Sequence, residues 1–275
     1  MATSSSHSTV GTSSRPPGGG EGRGGKIVAV TTPADRLQAV RDRIAAAARA
    51  AGRDPAEVGL LAVSKTWPAA AVRELAALGQ ADFGENRAQE LTGKAAELAD
   101  LPLRWHFVGQ LQRNKAAAVA RLGAVVHSVD RLSLARALGR VGVDTGRPVE
   151  VFLQVDLGGP EGELAARGGA DLAEVPALAD AVAEEAGVVL RGLMAVAPRG
   201  AAPGPAFARL AELAERVRAD HPEARDLSAG MSADLEEAVA AGSTLLRVGT
   251  ALFGTRPLPS RQDESHQSHG SQQPG

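Results

Sequence analysis

Cysteine and tyrosine are both missing from the 275 residues, and aromatic side chains of any kind make up only 3% of them. The first absence excludes disulfides, thiolate metal ligands and cysteine nucleophiles, and it fits a reducing compartment. The second removes every phenol that could carry a proton in a reaction. No apolar run reaches the roughly 18 residues of a membrane span. The chain opens without a basic segment leading into a hydrophobic one, so a cytoplasmic location is the expectation. Neither sign of charge is in excess. Thirty basic against 32 acidic side chains leave a formal net charge of −2, which offers no electrostatic footprint for nucleic acid or an anionic membrane. The six histidines lack a metal-binding pattern: His7, His266 and His269 lie in polar ends, while His106, His127 and His221 are far apart and without the two-histidine spacing of a zinc helix. No metal is expected.

What is present is an ordinary soluble composition, 44% apolar and 23% charged, enough to bury a sizeable core. Residues 1–25 are Ser, Thr, Gly and Pro with few large apolar side chains, and residues 258–275 are dominated by Ser, Gln, His, Asp and Gly. Such segments cannot offset the entropy of ordering, so both are expected to be disordered tails around a folded unit at 26–257. In that unit Leu37, Val40, Ile44, Ala47, Ala48 and Ala51 mark one face of a first helix, closed by Gly52. Strands then alternate with helices. Short apolar runs at 60–63, 81–83, 105–108, 125–129, 149–155, 188–194, 226–228 and 245–248 read as strands. Helical periodicity occupies 88–98, 116–122, 132–138, 177–186, 206–217 and 235–241, and a helix that starts at Pro68 stops at Gly79. Eight βα units of this kind in a chain of this length predict an α/β fold, a single (β/α)8 TIM barrel with an extra N-terminal helix. A doubly wound open sheet is the rival, and the lack of a Gly-rich fingerprint after the first strand counts against it.

In such a barrel the working residues sit where strands end. The first strand ends at Ser64-Lys65-Thr66; Lys65 is either a lysine reaching solvent along its own stem or a Schiff-base amine. Ser228, Met231 and Ser232 follow the seventh strand, and Gly249 and Thr250 follow the eighth at the start of a short helix, the usual phosphate position of this fold. Ser232 could equally cap the helix at 235–241. Arg247 sits among apolar neighbours in the last strand, so it needs either an ion-pair partner or a ligand. Asn86 with Gln89 three residues on has the form of a capping box. His106 reads as either a satisfied core histidine or a site residue.

Taken together, the runs LLAVSKTWP at 60–68, FGENRAQE at 83–90, RWHFVGQLQRNK at 104–115, HSVDRL at 127–132, RGLMAVAP at 191–198, LSAGMSADLEEAVAAGST at 227–244 and LRVGTALFG at 246–254 resemble the pyridoxal phosphate homeostasis protein family, which is similar to the barrel domain of alanine racemase. The resemblance implies that Lys65 forms an internal aldimine with pyridoxal 5'-phosphate. It also implies that Ser228, Met231, Ser232, Gly249 and Thr250 bind the phosphate, that Arg247 faces the pyridine nitrogen, and that Asn86 and His106 lie near the pocket. Two departures stand out. The run QVDLGGPEGELAARGGA at 154–170 replaces an Asn-containing loop of the family, with Asp156 and Arg167 as possible substitutes, and Ala229 stands where a methionine is common.

The racemase relatives take a catalytic tyrosine from a second domain, for which neither a tyrosine nor room after Gly254 is found in this sequence. An arginine at the pyridine nitrogen also weakens the ring as an electron sink. The expected function is therefore a non-catalytic carrier of pyridoxal 5'-phosphate. Such a carrier would be a monomer that makes transient contact with apo-enzymes taking up the cofactor. An amino-acid racemase or lyase is the alternative, and a phosphate-binding barrel of sugar or nucleotide metabolism using Lys65 on a carbonyl is a third, weaker reading.

Overall fold

The computed structural model describes residues 31–158 and 168–254. Both expected disordered tails, 1–25 and 258–275, therefore lie outside the described residues, as does Arg167. The order of elements is α1 (Pro33–Ala50), β1 (Gly59–Val63), α2 (Ala69–Ala77), β2 (Asp82–Glu85), α3 (Ala88–Glu97), β3 (Arg104–Phe107), α4 (Ala116–Arg121), β4 (Val125–Val129) and α5 (Leu132–Thr145). It continues through β5 (Val149–Val155), α6 (Val175–Ala183), β6 (Val188–Ala195), α7 (Pro203–Asp220), β7 (Asp226–Ser228), α8 (Leu235–Ala240), β8 (Leu245–Val248) and α9 (Thr250–Phe253). The eight strands pair in chain order and β8 returns to β1, all parallel, so the sheet closes into the expected barrel.

The main core lies between the outer face of the sheet and the helices. Phe83, Phe107, Leu153 and Leu193 point outward from their strands to meet helix residues such as Leu91, Leu134, Phe207 and Leu210 in one continuous cluster. Each such side chain contributes about 1.5–3 kcal/mol when fully buried. Inside the barrel the apolar filling is thin: Val125, Phe152 and Met194 form a small separate cluster, with Leu245 against it. Polar side chains occupy much of the remaining interior, as described below. At the mouth formed by the strand N-termini, Asp82, Arg104, Glu150, Arg191 and Asp226 alternate in sign from one strand to another. Arg104 pairs with Glu150 and lies 4.0 Å from Asp82, while Arg191 pairs with Asp226 at 2.9 Å and approaches Glu150 at 3.8 Å.

Helix α1 begins with Thr32 and Asp35 in a capping box and Pro33 in its first turn, the combination that satisfies the free N–H groups of a helix start. Its buried side, Leu37, Val40, Ile44 and Ala48, belongs to the main core. Its arginines reach the last two βα units: Arg43 binds the Ser232 carbonyl and Glu236, and Arg36 binds the Leu252 carbonyl at 2.7 Å. Just beyond the helix, Arg53 binds the carbonyls of Val239 and Ser243. The extra helix is thus a brace for the loops after β7 and β8.

Four strands, at 125–129, 149–155, 226–228 and 245–248, coincide with the sequence expectation to the residue, and the others differ by one or two residues at an end. The largest difference is α5, expected over 132–138 but running to Thr145 and ending at Gly146 in the left-handed conformation. Gly139 and Gly142 lie beyond the expected end, and glycine ordinarily weakens a helix. They are kept here because the backbone of Ala186 and Gly187 passes directly over them: a Cβ at Gly142 would lie 2.0 Å from the Gly187 carbonyl oxygen. This contact reverses the usual sign of a glycine-to-alanine change. On a free helix Gly142→Ala would stabilise by about 1 kcal/mol; here we expect a loss of about 1–3 kcal/mol from overpacking, measured by urea unfolding. A stabilised variant would show that the α5–β6 contact is loose.

Candidate functional site

Two networks flank β1 and β2, one outside the sheet and one inside. Ser64, Lys65 and Thr66 form the turn that follows β1, and Thr66 holds a positive φ of 67°, uncommon for a β-branched residue. Three contacts fix this turn from β2 and α3. The Ser64 hydroxyl donates to Glu85 Oε1 at 2.7 Å, Lys94 Nζ donates to the Ser64 carbonyl at 2.8 Å, and the Thr66 N–H donates to Glu90 at 2.9 Å. Lys94 also bonds Glu85 directly and is itself buried. Burial pushes the Glu85 carboxyl above its ordinary range, against hydrogen bonds from Lys94 and Ser64 that hold it down. Lys65 is left exposed, with no hydrogen bond or ion pair to any described residue.

The loop after β8 lies against the same turn. Trp67 stacks on Phe253 of α9, with ring centroids 5.7 Å apart, and a Cβ at Gly249 would stand 3.1 Å from the Val63 carbonyl. Lys65, Gly249 and Thr250 are thereby brought together. Thr250 opens α9, whose first N–H groups have no intrahelical acceptor, and its exposed hydroxyl makes no hydrogen bond among the described residues. Ser232 does not cap α8: that position belongs to Asp234, which makes no side-chain cap and instead accepts from the Met231 N–H at 2.6 Å. The Ser232 carbonyl is held by Arg43 while its hydroxyl is unengaged among the described residues. Met231 is exposed.

The second network runs through the barrel interior. Arg247 on β8 is buried, and no acid contacts it among the described residues. It donates to the Ala195 carbonyl at 2.8 Å, the Ser228 carbonyl and the Ser228 hydroxyl at 2.9 Å. Loss of water lowers its pKa to about 10, with Asp234 opposing the shift. Among the described residues the ion pair that the sequence left open is absent, and the ligand alternative remains. Ser228 is fully buried and committed to Arg247 and to His127, whose Nδ1 lies 3.0 Å from the Ser228 hydroxyl. His127 Nε2 lies 2.9 Å from His106 Nδ1, and His106 Nε2 lies 3.0 Å from Asp82. His106 is therefore an interior residue between β2 and β4, linked to Arg247 through two other side chains.

Asn86 is not a cap either. Arg87 holds the cap position of α3 without a side-chain bond, and Asn86 Oδ1 is buried with no partner among the described residues. Ser128 Oγ on β4 and Glu85 Oε2 are likewise buried and unpaired among the described residues. Buried polar atoms without partners are uncommon and mark places where a ligand or water completes the bonding. Asp156 after β5 binds the Gly158 N–H at 3.0 Å and closes its own loop. Sequence reasoning missed Asp82, Glu85, Lys94 and His127. For His127 and His106 a signal existed, since each sits in a strand at a position where alternation with outward-facing apolar residues turns it inward.

The alanine racemase N-terminal domain family matches residues 36–257. The chain is 50% identical over 230 residues to a pyridoxal phosphate homeostasis protein of Pseudomonas aeruginosa, covering 82% of this chain and 97% of that protein. It is 41% identical over 233 residues to a protein of the same name from Escherichia coli K12, covering 81% and 96%. Among solved structures it is similar to PipY of Synechococcus elongatus with PLP bound, at 40% identity and a TM-score of 0.72, over 81% of this chain and 100% of that one. Alanine racemase of Corynebacterium glutamicum shares the fold at 18% identity and a TM-score of 0.57, over 81% of this chain and 62% of that one.

The outer clamp gives a stability prediction. Removing one partner of a buried ion pair typically costs about 3–5 kcal/mol, so Lys94→Met should lose that much in denaturant unfolding and the double change with Glu85→Leu should recover part of it. A loss under about 1 kcal/mol would mean that Glu85 takes up a proton and needs no partner. The inner network gives a pH prediction. Burial depresses both His106 and His127, with Asp82 pulling His106 back up, while a proton on His106 and the charge of Arg247 would each oppose a proton on His127. Below about 6.5 the unfolded chain therefore binds protons that the folded one refuses, and stability is lost as pH falls through that value. Melting temperatures of wild type and His127→Gln should diverge in the variant's favour between pH 7 and 5; parallel curves would show that His127 titrates alike in both states.

Proposed function

The chain belongs to the alanine racemase N-terminal domain family and, within it, to the pyridoxal phosphate homeostasis proteins, and on that footing we propose that it binds pyridoxal 5'-phosphate at the mouth of its barrel and hands the cofactor on without turning over amino acids. The observation that carries the reading is one conjunction. An exposed, unengaged amine on Lys65 stands beside the loop of Gly249 and Thr250, and deeper in the barrel lies a guanidinium with no acid in contact among the described residues.

The residues present suit the group. Its aldehyde supplies reversible covalent attachment to an amine, and Lys65 offers that amine. The unengaged hydroxyls of Ser232 and Thr250 and the first N–H groups of α9 are donors of the kind a phosphate requires. Gly249 lets this loop lie close to the end of β1. Arg247 can only donate, so it suits an unprotonated pyridine nitrogen and would meet a protonated one donor to donor. Ser228 acts through Arg247, and Met231 shapes the loop that carries Ser232. Asn86, with its unpaired buried oxygen, is a further polar group for the ligand. Among the described residues no helix is long and apolar enough to cross a membrane and no group of three or more His, Cys, Asp or Glu could hold a metal ion. The recipients are apo-enzymes that use the same cofactor, met transiently in the cytoplasm.

Proton chemistry separates a carrier from a racemase or lyase. A catalyst needs positioned bases at the reacting carbon, and the 275 residues contain no tyrosine to supply one. The buried acid nearest the turn of Lys65, Glu85, is bound to Lys94 and Ser64. The test mixes holo-protein with an apo-aminotransferase and follows recovered activity, while a panel of L- and D-amino acids is assayed for racemisation, decarboxylation and elimination. Activity should recover with no amino-acid turnover; turnover at the ~1–10³ s⁻¹ usual for enzymes would replace the carrier with a catalyst. Borohydride trapping should place the adduct on Lys65, and an adduct on Lys115 would overturn the site. Ser232→Ala should weaken cofactor binding by about 1.5–3 kcal/mol with an unchanged melting temperature.

A further inference from the structure

We propose that His127 and His106 are positioning residues, forming with Asp82 and Ser228 a one-directional hydrogen-bond relay through the barrel that fixes the guanidinium of Arg247.

The direction follows from the carboxylate end. Asp82 as a carboxylate can only accept, so His106 Nε2, 3.0 Å away, carries a proton. A neutral His106 then accepts at Nδ1, which makes His127 the donor through Nε2 at 2.9 Å and leaves His127 Nδ1 as an acceptor. The Ser228 hydroxyl, 3.0 Å from that nitrogen, donates its only proton to it and presents a lone pair to Arg247 at 2.9 Å. Arg247 can only donate. The carboxylate end therefore sets the order, Arg247 to Ser228 to His127 to His106 to Asp82, the donor-only guanidinium fits its other end, and no other arrangement of neutral rings satisfies the contact with Asp82. The groups facing the rings agree with this: His106 meets Asp82, Arg104 and Glu150, and His127 meets His106, Arg247 and Arg104, while burial keeps both rings neutral. Phe152 stacks on His127 at 4.3 Å between ring centroids and restricts its rotation.

The relay solves a problem of charge. A buried guanidinium with only neutral groups in contact is costly, yet a carboxylate placed beside it would compete with a ligand for its donors. Aligned dipoles lead from Arg247 to Asp82, which sits at the opposite mouth and is partly exposed to water. The cation gains an oriented acceptor and its remaining donors stay directed. The consequence for the cofactor rests on the reading of Arg247 as a pyridine contact; the relay itself does not.

The test begins on the apo-protein. Long-range proton–nitrogen NMR at pH 7 should find both rings neutral and protonated on Nε2; a cationic ring, or a proton on Nδ1 of either, would overturn the relay. In His127→Leu the Arg247 guanidinium protons should exchange about tenfold faster, and in His127→Gln, whose amide can accept and donate in the same order, they should return to within about twofold of wild type. Unchanged exchange in a folded Leu variant would also overturn it. Should that variant not fold, Asp82→Ala, at the partly exposed end, replaces it: both rings should gain the Nδ1–H form together, and rings that stay as in wild type would count against the relay. Cofactor affinity then separates the two claims. A loss of about tenfold in His127→Leu, restored in His127→Gln, supports both, whereas faster arginine exchange with unchanged affinity supports the relay and removes Arg247 from the cofactor contacts.

Discussion

A guanidinium held inside an eight-stranded barrel is the constraint around which the interior of this protein is organised. Burial of Arg247 without a carboxylate in contact would be prohibitive in an apolar core. The interior is accordingly not the stacked aliphatic layers usual for such barrels but a path of hydrogen-bonding side chains, beside which Val125, Phe152 and Met194 form a small apolar cluster. The alternating charges of Asp82, Arg104, Glu150, Arg191 and Asp226 finish that path at the far mouth.

Stability and site geometry are divided between the two faces of the sheet. The outer face carries the continuous apolar core and also the clamp of Glu85, Lys94 and Glu90 on the turn of Lys65. That turn includes Thr66 in a backbone conformation it would not adopt alone, and three hydrogen bonds from α3 and β2 hold it. The amine of Lys65 has no hydrogen bond or ion pair among the described residues, and the groups that fix its turn, Glu85, Glu90 and Lys94, are engaged with Ser64, Thr66 and one another. Across the mouth, α1 performs the same service for the loops after β7 and β8 through Arg36, Arg43 and Arg53. An N-terminal helix that is an addition to the barrel in sequence is part of the site's frame in three dimensions.

Binding and release make opposite demands on such a site. On the proposed reading, reversible attachment at Lys65 and a set of hydroxyl and N–H donors would give retention, while the absence of a tyrosine leaves proton transfer at a bound amino acid without that base. Rigid support of the donors lowers the ordering cost of binding, which matters most for a protein whose proposed role is to keep a reactive aldehyde bound until an acceptor takes it.

Much of the barrel was legible in the chain. Eight short apolar runs separated by helical periodicity determine a parallel barrel because each run is buried on both faces and each helix on one. The strand-end positions of Lys65, Ser232, Gly249 and Thr250 follow from the same pattern, since parallel strands deliver their C-terminal ends to one mouth. The length of α5 was hidden, because whether Gly139 and Gly142 end a helix or admit a neighbouring backbone depends on what packs there. Roles for Asn86, Ser232 and Arg247 were likewise ambiguous: a cap or an ion pair is a local pattern, and only the folded chain reveals whether the partner is in place. Asp82, His106, His127, Ser228 and Arg247 are separated by 19 to 24 residues or, from His127 to Ser228, by 101. Nothing in their spacing joins them. Closure of the sheet does, because it turns inward-facing positions on distant strands into neighbours within hydrogen-bonding distance.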